Sequence, residues 1–147
     1  MPVDSSAVRK SYPPAVYAVG REKVREYAAA VGETNPIYFD LERARAAGYA
    51  DLVAPPMFAV VYAGPAMIQV LFDPALDIDF AHLVHGAQDF RWEELVVAGD
   101  EISTVVGVKD IVQRRELSFY VLESTSTNQR QQNVCTATWT NIVRSPT

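Results

Sequence analysis

A change of period near Phe72 constrains the fold of this chain more than any other feature of its sequence. Before it, apolar residues recur at helical spacing; after it they alternate, as a half-buried strand requires. Arg21 to Val31 places Val24, Tyr27, Ala28 and Val31 at i, i+3, i+4 and i+7, the stripe of an amphipathic helix that Gly32 would stop. Val16 to Val19 before it is a candidate short strand. Asp40 to Gly48 reads as a second helix, with Asp40 as N-cap and Gly48 as terminator. Met57 to Leu71 is apolar nearly all round, as suits a helix wrapped by a sheet, and Pro65 predicts a bend or a break within it.

From Leu83 the period is two. Val84, Gly86, Gln88, Phe90 and Trp92 are expected on one face, and His85, Asp89, Arg91 and Glu93 on the other. Glu101 to Lys109, Arg115 to Ser124 and Val134 to Val143 repeat the pattern. Turns are expected at Ala98-Gly99-Asp100, near Gln113-Arg114 and from Thr127 to Asn133. One long buried helix followed by antiparallel strands predicts an α+β domain, residues 1–147, whose curved sheet wraps that helix.

Composition narrows the function classes. A chain of 147 residues that is 49% apolar can bury a sizeable core. Its formal charge of −5 offers no general attraction to nucleic acid or anionic lipid, so neither is an expected partner. The single cysteine, Cys135, cannot close an internal disulfide, and the segment MPVDSSAVRKSYPP has no apolar stretch of the kind an export signal carries. A cytoplasmic address is the expectation. The longest apolar run, from Leu52 to Phe72, is interrupted by Pro55, Pro56, Gly64, Pro65 and Gln69, which suits a core helix and not a membrane span.

Four landmarks then stand in order: Tyr27-Ala28 with Gly32, Asn35-Pro36, Ala54-Pro55-x-Met57, and Val97-Ala98-Gly99-Asp100. This arrangement resembles the MaoC-like hot-dog hydratases and dehydratases, most closely their N-terminal-type, type I fatty-acid-synthase-like dehydratase branch, from about Tyr17 to Val143. The resemblance implies the hot-dog fold, pairing of two chains or halves, and an acyl-CoA or acyl-carrier thioester in a tunnel at their interface. It implies no cofactor. The family's motif is Gly-Asp-x-Asn-Pro-x-His, whose Asp and His hold the water that adds to, or leaves from, the acyl β-carbon.

Here the Asp position is Glu33 and the His position is Tyr38. Glutamate keeps the charge but lengthens the arm, and a misplacement of about 1 Å can cost about a hundredfold in rate. A phenol with an ordinary pKa near 10 is a poor proton acceptor at neutral pH. Where active relatives offer a glycine N–H to the thioester carbonyl, this chain has Pro56, which has none; losing such a donor costs about 3 to 4 kcal/mol of barrier. The Met57 amide is the remaining donor.

These substitutions lead to the expectation of a degenerate dyad. The chain would then shape the acyl tunnel of an (R)-specific enoyl-thioester hydratase, equivalently a 3-hydroxyacyl-thioester dehydratase. A MaoC-like partner would supply the Asp and His, as in the heterodimeric dehydratases the chain resembles. Alternatives are a homodimeric hydratase or thioesterase that uses Glu33, and a non-catalytic acyl-thioester-binding protein. Without the resemblance, Asn35-Pro36 is an ordinary turn, Glu33 a solvated acid and Tyr38 a half-buried aromatic. Asn35, Pro56, Met57, Phe58 and Gln88 are the expected substrate-side residues, although Phe58 reads more strongly as core and Gln88 would serve equally as a hydrogen-bonded core residue. His82 and His85 are read as surface or interface residues; neither makes a metal-ligand spacing with Cys135, so no metal is expected. Arg114-Arg115 reads as solvated charge at a hairpin tip.

Overall fold

The computed structural model describes residues 5–145. Strand β1 (Ala15–Ala18) leads through Gly20 into helix α1 (Arg21–Ala30), a 3-10 turn at Pro36–Tyr38 and helix α2 (Leu41–Ala46). Each stop and start has a local cause. Gly32, at φ 77°, closes α1 in a left-handed conformation that costs glycine nothing. The Asn35 side chain accepts from the Ile37 N–H, and the Asp40 carboxylate accepts from the Arg43 N–H, so both turns are capped as their residue types predict.

The apolar segment after Pro55 is a succession of helical pieces. A 3-10 turn, Pro56–Phe58, passes into α3 (Ala59–Tyr62), and α4 (Gly64–Leu71) follows. The break falls at Ala63 because Pro65 sits in the first turn of α4, where its missing N–H is tolerated. One flank of this helix is buried through Phe58, Ala59, Tyr62, Ala66, Met67 and Val70. The other is open: Ile68 is 56% exposed and Phe72 66%.

Strands β2 (Leu83–Trp92), β3 (Glu101–Arg114), β4 (Leu117–Thr127) and β5 (Asn133–Arg144) join β1 in one antiparallel sheet of order β1-β3-β4-β5-β2. Alternation fixes the register. Ile102, Thr104, Val106 and Val108 of β3, Tyr120 and Leu122 of β4, and Ala137 and Trp139 of β5 point inward to the helix. The helix packs over β1 and β3 at one side of the sheet, whereas β2 pairs with β5 at the other and has no fully buried residue. Three ladder irregularities interrupt the sheet, between Val108 and Asp110, between His85 and Ala87, and between Ser126 and Thr127. No helix among the described residues is long and apolar enough to cross a membrane.

The irregularity in β2 corrects the expected faces. Gly86 is the extra residue: His85 pairs with Asn141 and Ala87 with Thr140, so period two is interrupted there. Gln88, Phe90 and Trp92 do share the inward face, but His85 joins them and Val84 turns outward, 58% exposed. Hairpin β3–β4 also reaches further than expected, its turn falling at Arg115, which adopts φ 54°, and Glu116.

Candidate active site region

The region at issue is built where α1, the Asn35–Tyr38 turn and the entry to the central helix meet. The Glu33 N–H donates to the Ala28 carbonyl (2.9 Å), placing Glu33 directly after the α1 terminus. The Val53 N–H donates to Ile37 O (3.1 Å), tying the turn that carries Tyr38 to the segment leading into Pro55-Pro56-Met57. From the other side, the Arg25 guanidinium donates to Phe39 O (2.9 Å). Tyr27 rests edge-on against Phe58, ring centres 5.4 Å apart. Three separated segments are thereby held in one place.

Glu33 and Tyr38 lie close enough for the carboxylate to act on the phenol electrostatically. Both are half-buried. Burial, then the Glu33 carboxylate and the neighbouring Tyr49, push the Tyr38 phenol above its ordinary pKa. Burial and Glu33 do the same to Tyr27. The direction decides the chemistry: a phenol beside an anion holds its proton more firmly, so at neutral pH Tyr38 can donate a hydrogen bond but is not a base. Tyr27 and Tyr49 were not picked out from the sequence as neighbours of this pair. Tyr27 comes near Glu33 because the chain reverses at Gly32, and Tyr49 approaches from the far end of α2.

The start of the helix matches the expectation in one respect and adds to it in another. Pro56 presents no N–H. Its carbonyl is also engaged, accepting 2.8 Å from the indole N–H of Trp92 at the end of β2. This bond clamps the helix entry to the sheet, and only the tertiary structure reveals it. Met57 follows at 45% exposure. A cavity of about 50 Å³ lies among Pro55, Pro56, Tyr62, Trp92 and Leu95. It has room for water but falls far short of the several hundred Å³ of a ligand pocket.

The remaining candidates separate. Asn35 is exposed and spends its side-chain oxygen on the turn. Phe58 is fully buried at the centre of an aromatic group with Tyr17, Tyr27 and Tyr62. Gln88 lies on the inward face of β2, opposite Trp139. His85 packs its ring 6.1 Å from that of Trp139, and His82 bonds Asp79 at the surface. Cys135 is buried beside Tyr62, and burial pushes its thiol pKa up, which leaves it protonated and unreactive.

Comparison with known proteins places this geometry. A family profile described as "FAS1-like, dehydratase domain region" matches residues 6–137. A UPF0336 protein of Saccharopolyspora erythraea is 41% identical over 145 residues, covering 98% of this chain and 93% of its own length. The chain superposes on a C-terminally truncated HadBC (3R-hydroxyacyl-ACP dehydratase) complex from Mycobacterium tuberculosis with a TM-score of 0.80 at 28% identity, covering 92% of this chain and 96% of that one. It also superposes on a MaoC-like dehydratase with a TM-score of 0.83 at 27% identity, covering 95% of this chain and 43% of the longer one.

Proposed function

We propose, for a chain that belongs to the FAS1-like dehydratase family and has its hot-dog fold, that it acts as the non-catalytic half of an (R)-specific enoyl-thioester hydratase or 3-hydroxyacyl-thioester dehydratase. A partner MaoC-like chain supplies the Asp and His; this chain, acting as one hot-dog unit in the cytoplasm, supplies part of the acyl tunnel. The observation that carries the reading is Tyr38. It occupies the place of the family's histidine, close to Glu33, and its phenol is held in the protonated form there.

Water addition needs a base to take a proton from water, a carboxylate to orient that water and an amide to meet the growing negative charge on the thioester oxygen. In this chain the base is a phenol, the carboxylate has an arm one methylene longer, and the residue at the amide position is proline. The phenol removes the base, the longer arm misplaces the carboxylate and the proline removes one amide donor; together they leave a binding surface without a competent proton relay. The HadBC complex, described as a 3R-hydroxyacyl-ACP dehydratase, supports the two-chain reading.

The deciding experiment is hydration of crotonyl-CoA by the purified chain alone and by the chain mixed with a His-bearing MaoC-like subunit from its own host. Alone, it should show no turnover above the uncatalysed rate; with the partner, turnover should appear and should survive Glu33→Gln in this chain. Hydration by the chain alone at ordinary hydratase rates, abolished by Glu33→Gln, would establish the Glu33 enzyme in its place.

A further inference from the structure

The face of the sheet turned away from the helix carries an apolar row that crosses four strands. Val112 of β3 pairs with Phe119 of β4, Phe119 with Ile142 of β5, and Ile142 with Val84 of β2. Ile111, Tyr120 and Asn141, their immediate neighbours in the chain, are buried toward the helix, so alternation puts the row on the opposite face. Val84 is 58% exposed, the other three are half-buried, and none of the four packs among the core residues. The row is continuous from β5 to β2 because the Ile142 side chain spreads over Gly86, its Cδ1 2.4 Å from where a Cβ there would stand. Further along the strands the same face turns polar, with Thr136, Thr138 and Thr140 on β5, as a solvated sheet face does.

The charges beside the row are sorted by sign. Arg114 and Arg144, two residues beyond Val112 and Ile142, lie on one side of it. Asp110, two residues before Val112, lies on the other, and past it come Asp89 and Glu123, the latter paired with Lys109 (3.4 Å). This arrangement selects a partner. When two copies of the face meet about a two-fold axis laid along the row, each apolar residue meets its own copy, and Arg114 of each chain stands opposite Asp110 of the other. An axis laid along the strands instead would set the arginine side of one copy against the arginine side of the other.

We infer that this face joins two copies of the chain back to back, sheet on sheet, about an axis that runs across the strands through Phe119. Four strands at about 4.8 Å and four rows at about 6.7 Å give a footprint of about 500 Å² per copy, or about 1,000 Å² in all. That is the lower end for a specific interface, so the dimer is weak and depends on concentration. The contact is on the side of the sheet away from the central helix, and it stands whether or not the acyl-thioester reading does.

The test is sedimentation equilibrium of the full chain from about 1 µM to about 300 µM, across which the parent should pass from monomer toward dimer. Phe119→Lys, at the centre of the row, should weaken dimerisation by at least about tenfold. Arg114→Glu and Asp110→Arg should each weaken it by about tenfold, because two symmetry-related pairs are lost, and the two together should restore the parental affinity. That rescue is a result a merely structural role would not give. Arg114 and Asp110 are exposed, so the charge variants should fold even where Phe119→Lys does not. A chain that stays monomeric throughout overturns the inference and leaves the face to another partner. A dimer that survives Phe119→Lys in a protein that melts like the parent overturns it too, moving the pairing to another face such as the β2 edge, and so does a charge swap that restores nothing.

Discussion

Asp73 shows how one side chain can fasten two distant parts of the chain. It follows α4 and accepts from the Tyr12 hydroxyl (2.6 Å) and from the Lys10 ammonium, both on the N-terminal segment that lies against β3. The Lys10 ammonium also sits 5.4 Å above the Tyr12 ring centre. Hydrogen bonds from Lys10 and then Tyr12 lower the Asp73 pKa from its ordinary 3.8 to about 2. The folded chain therefore binds this proton less tightly than the unfolded chain does. The stabilisation is complete above the unfolded value and is lost as pH falls through the window from 3.8 to about 2. Asp73→Asn should cost about 1 to 2 kcal/mol near neutral pH and flatten the acid limb of stability across that window. Urea titrations from pH 2 to pH 6 on both proteins would check this, and parallel acid limbs would contradict the assignment. At the same scale, the replacements that set Glu33, Tyr38 and Pro56 apart could be read directly from the sequence, because each changes a functional group and not a position. Gln88 is different: its orphaned oxygen depends on where its nitrogen found partners.

At the scale of elements, the decisive feature is the bulge at Gly86. A Cβ built there would lie 2.4 Å from Ile142 Cδ1 and 2.8 Å from Cγ1, closer than such atoms approach. Ile142 is half-buried and can partly turn away, so Gly86→Ala should destabilise by about 1 to 2 kcal/mol, at the lower end of overpacking costs. Adding Ile142→Ala should recover most of the loss attributable to the clash. A double-mutant cycle by thermal melting would show a coupling of that size, and simple additivity would sink the explanation. The bulge also explains why strict alternation misplaced Val84 and His85: a pattern read at period two carries no mark of an inserted residue. The helical signals fared better. Asp40, Gly32 and Pro65 act within a few residues of themselves, so cap, stop and break were legible without knowledge of the fold.

For the whole molecule, the notable property is asymmetry. The helix covers β1 and β3, while β2, at the far edge, has no strand beside its outer row of backbone groups among the described residues, and its Val84 and Trp92 stay 58% and 45% exposed. Exposed apolar side chains and a free edge suit a protein that functions in a pair. The isolated chain should therefore bind an apolar fluorophore such as ANS and self-associate with rising concentration. Addition of the catalytic partner should quench that fluorescence at one-to-one stoichiometry; an unchanged signal in a complex that forms by size exclusion would place the interface elsewhere. The sequence by itself determined the division into a helical part and a strand part, the caps and stops, and which side chains stand at positions 33, 38 and 56, because these follow from neighbours in the chain and from the side chains themselves. The tertiary structure alone decided that Trp92 clamps the helix entry, that Tyr27 comes near Glu33 and Tyr49 near Tyr38, and that the Gln88 side-chain oxygen is buried without a hydrogen-bond partner. Those facts depend on contacts between residues far apart in the chain, and no local period records which of them will meet.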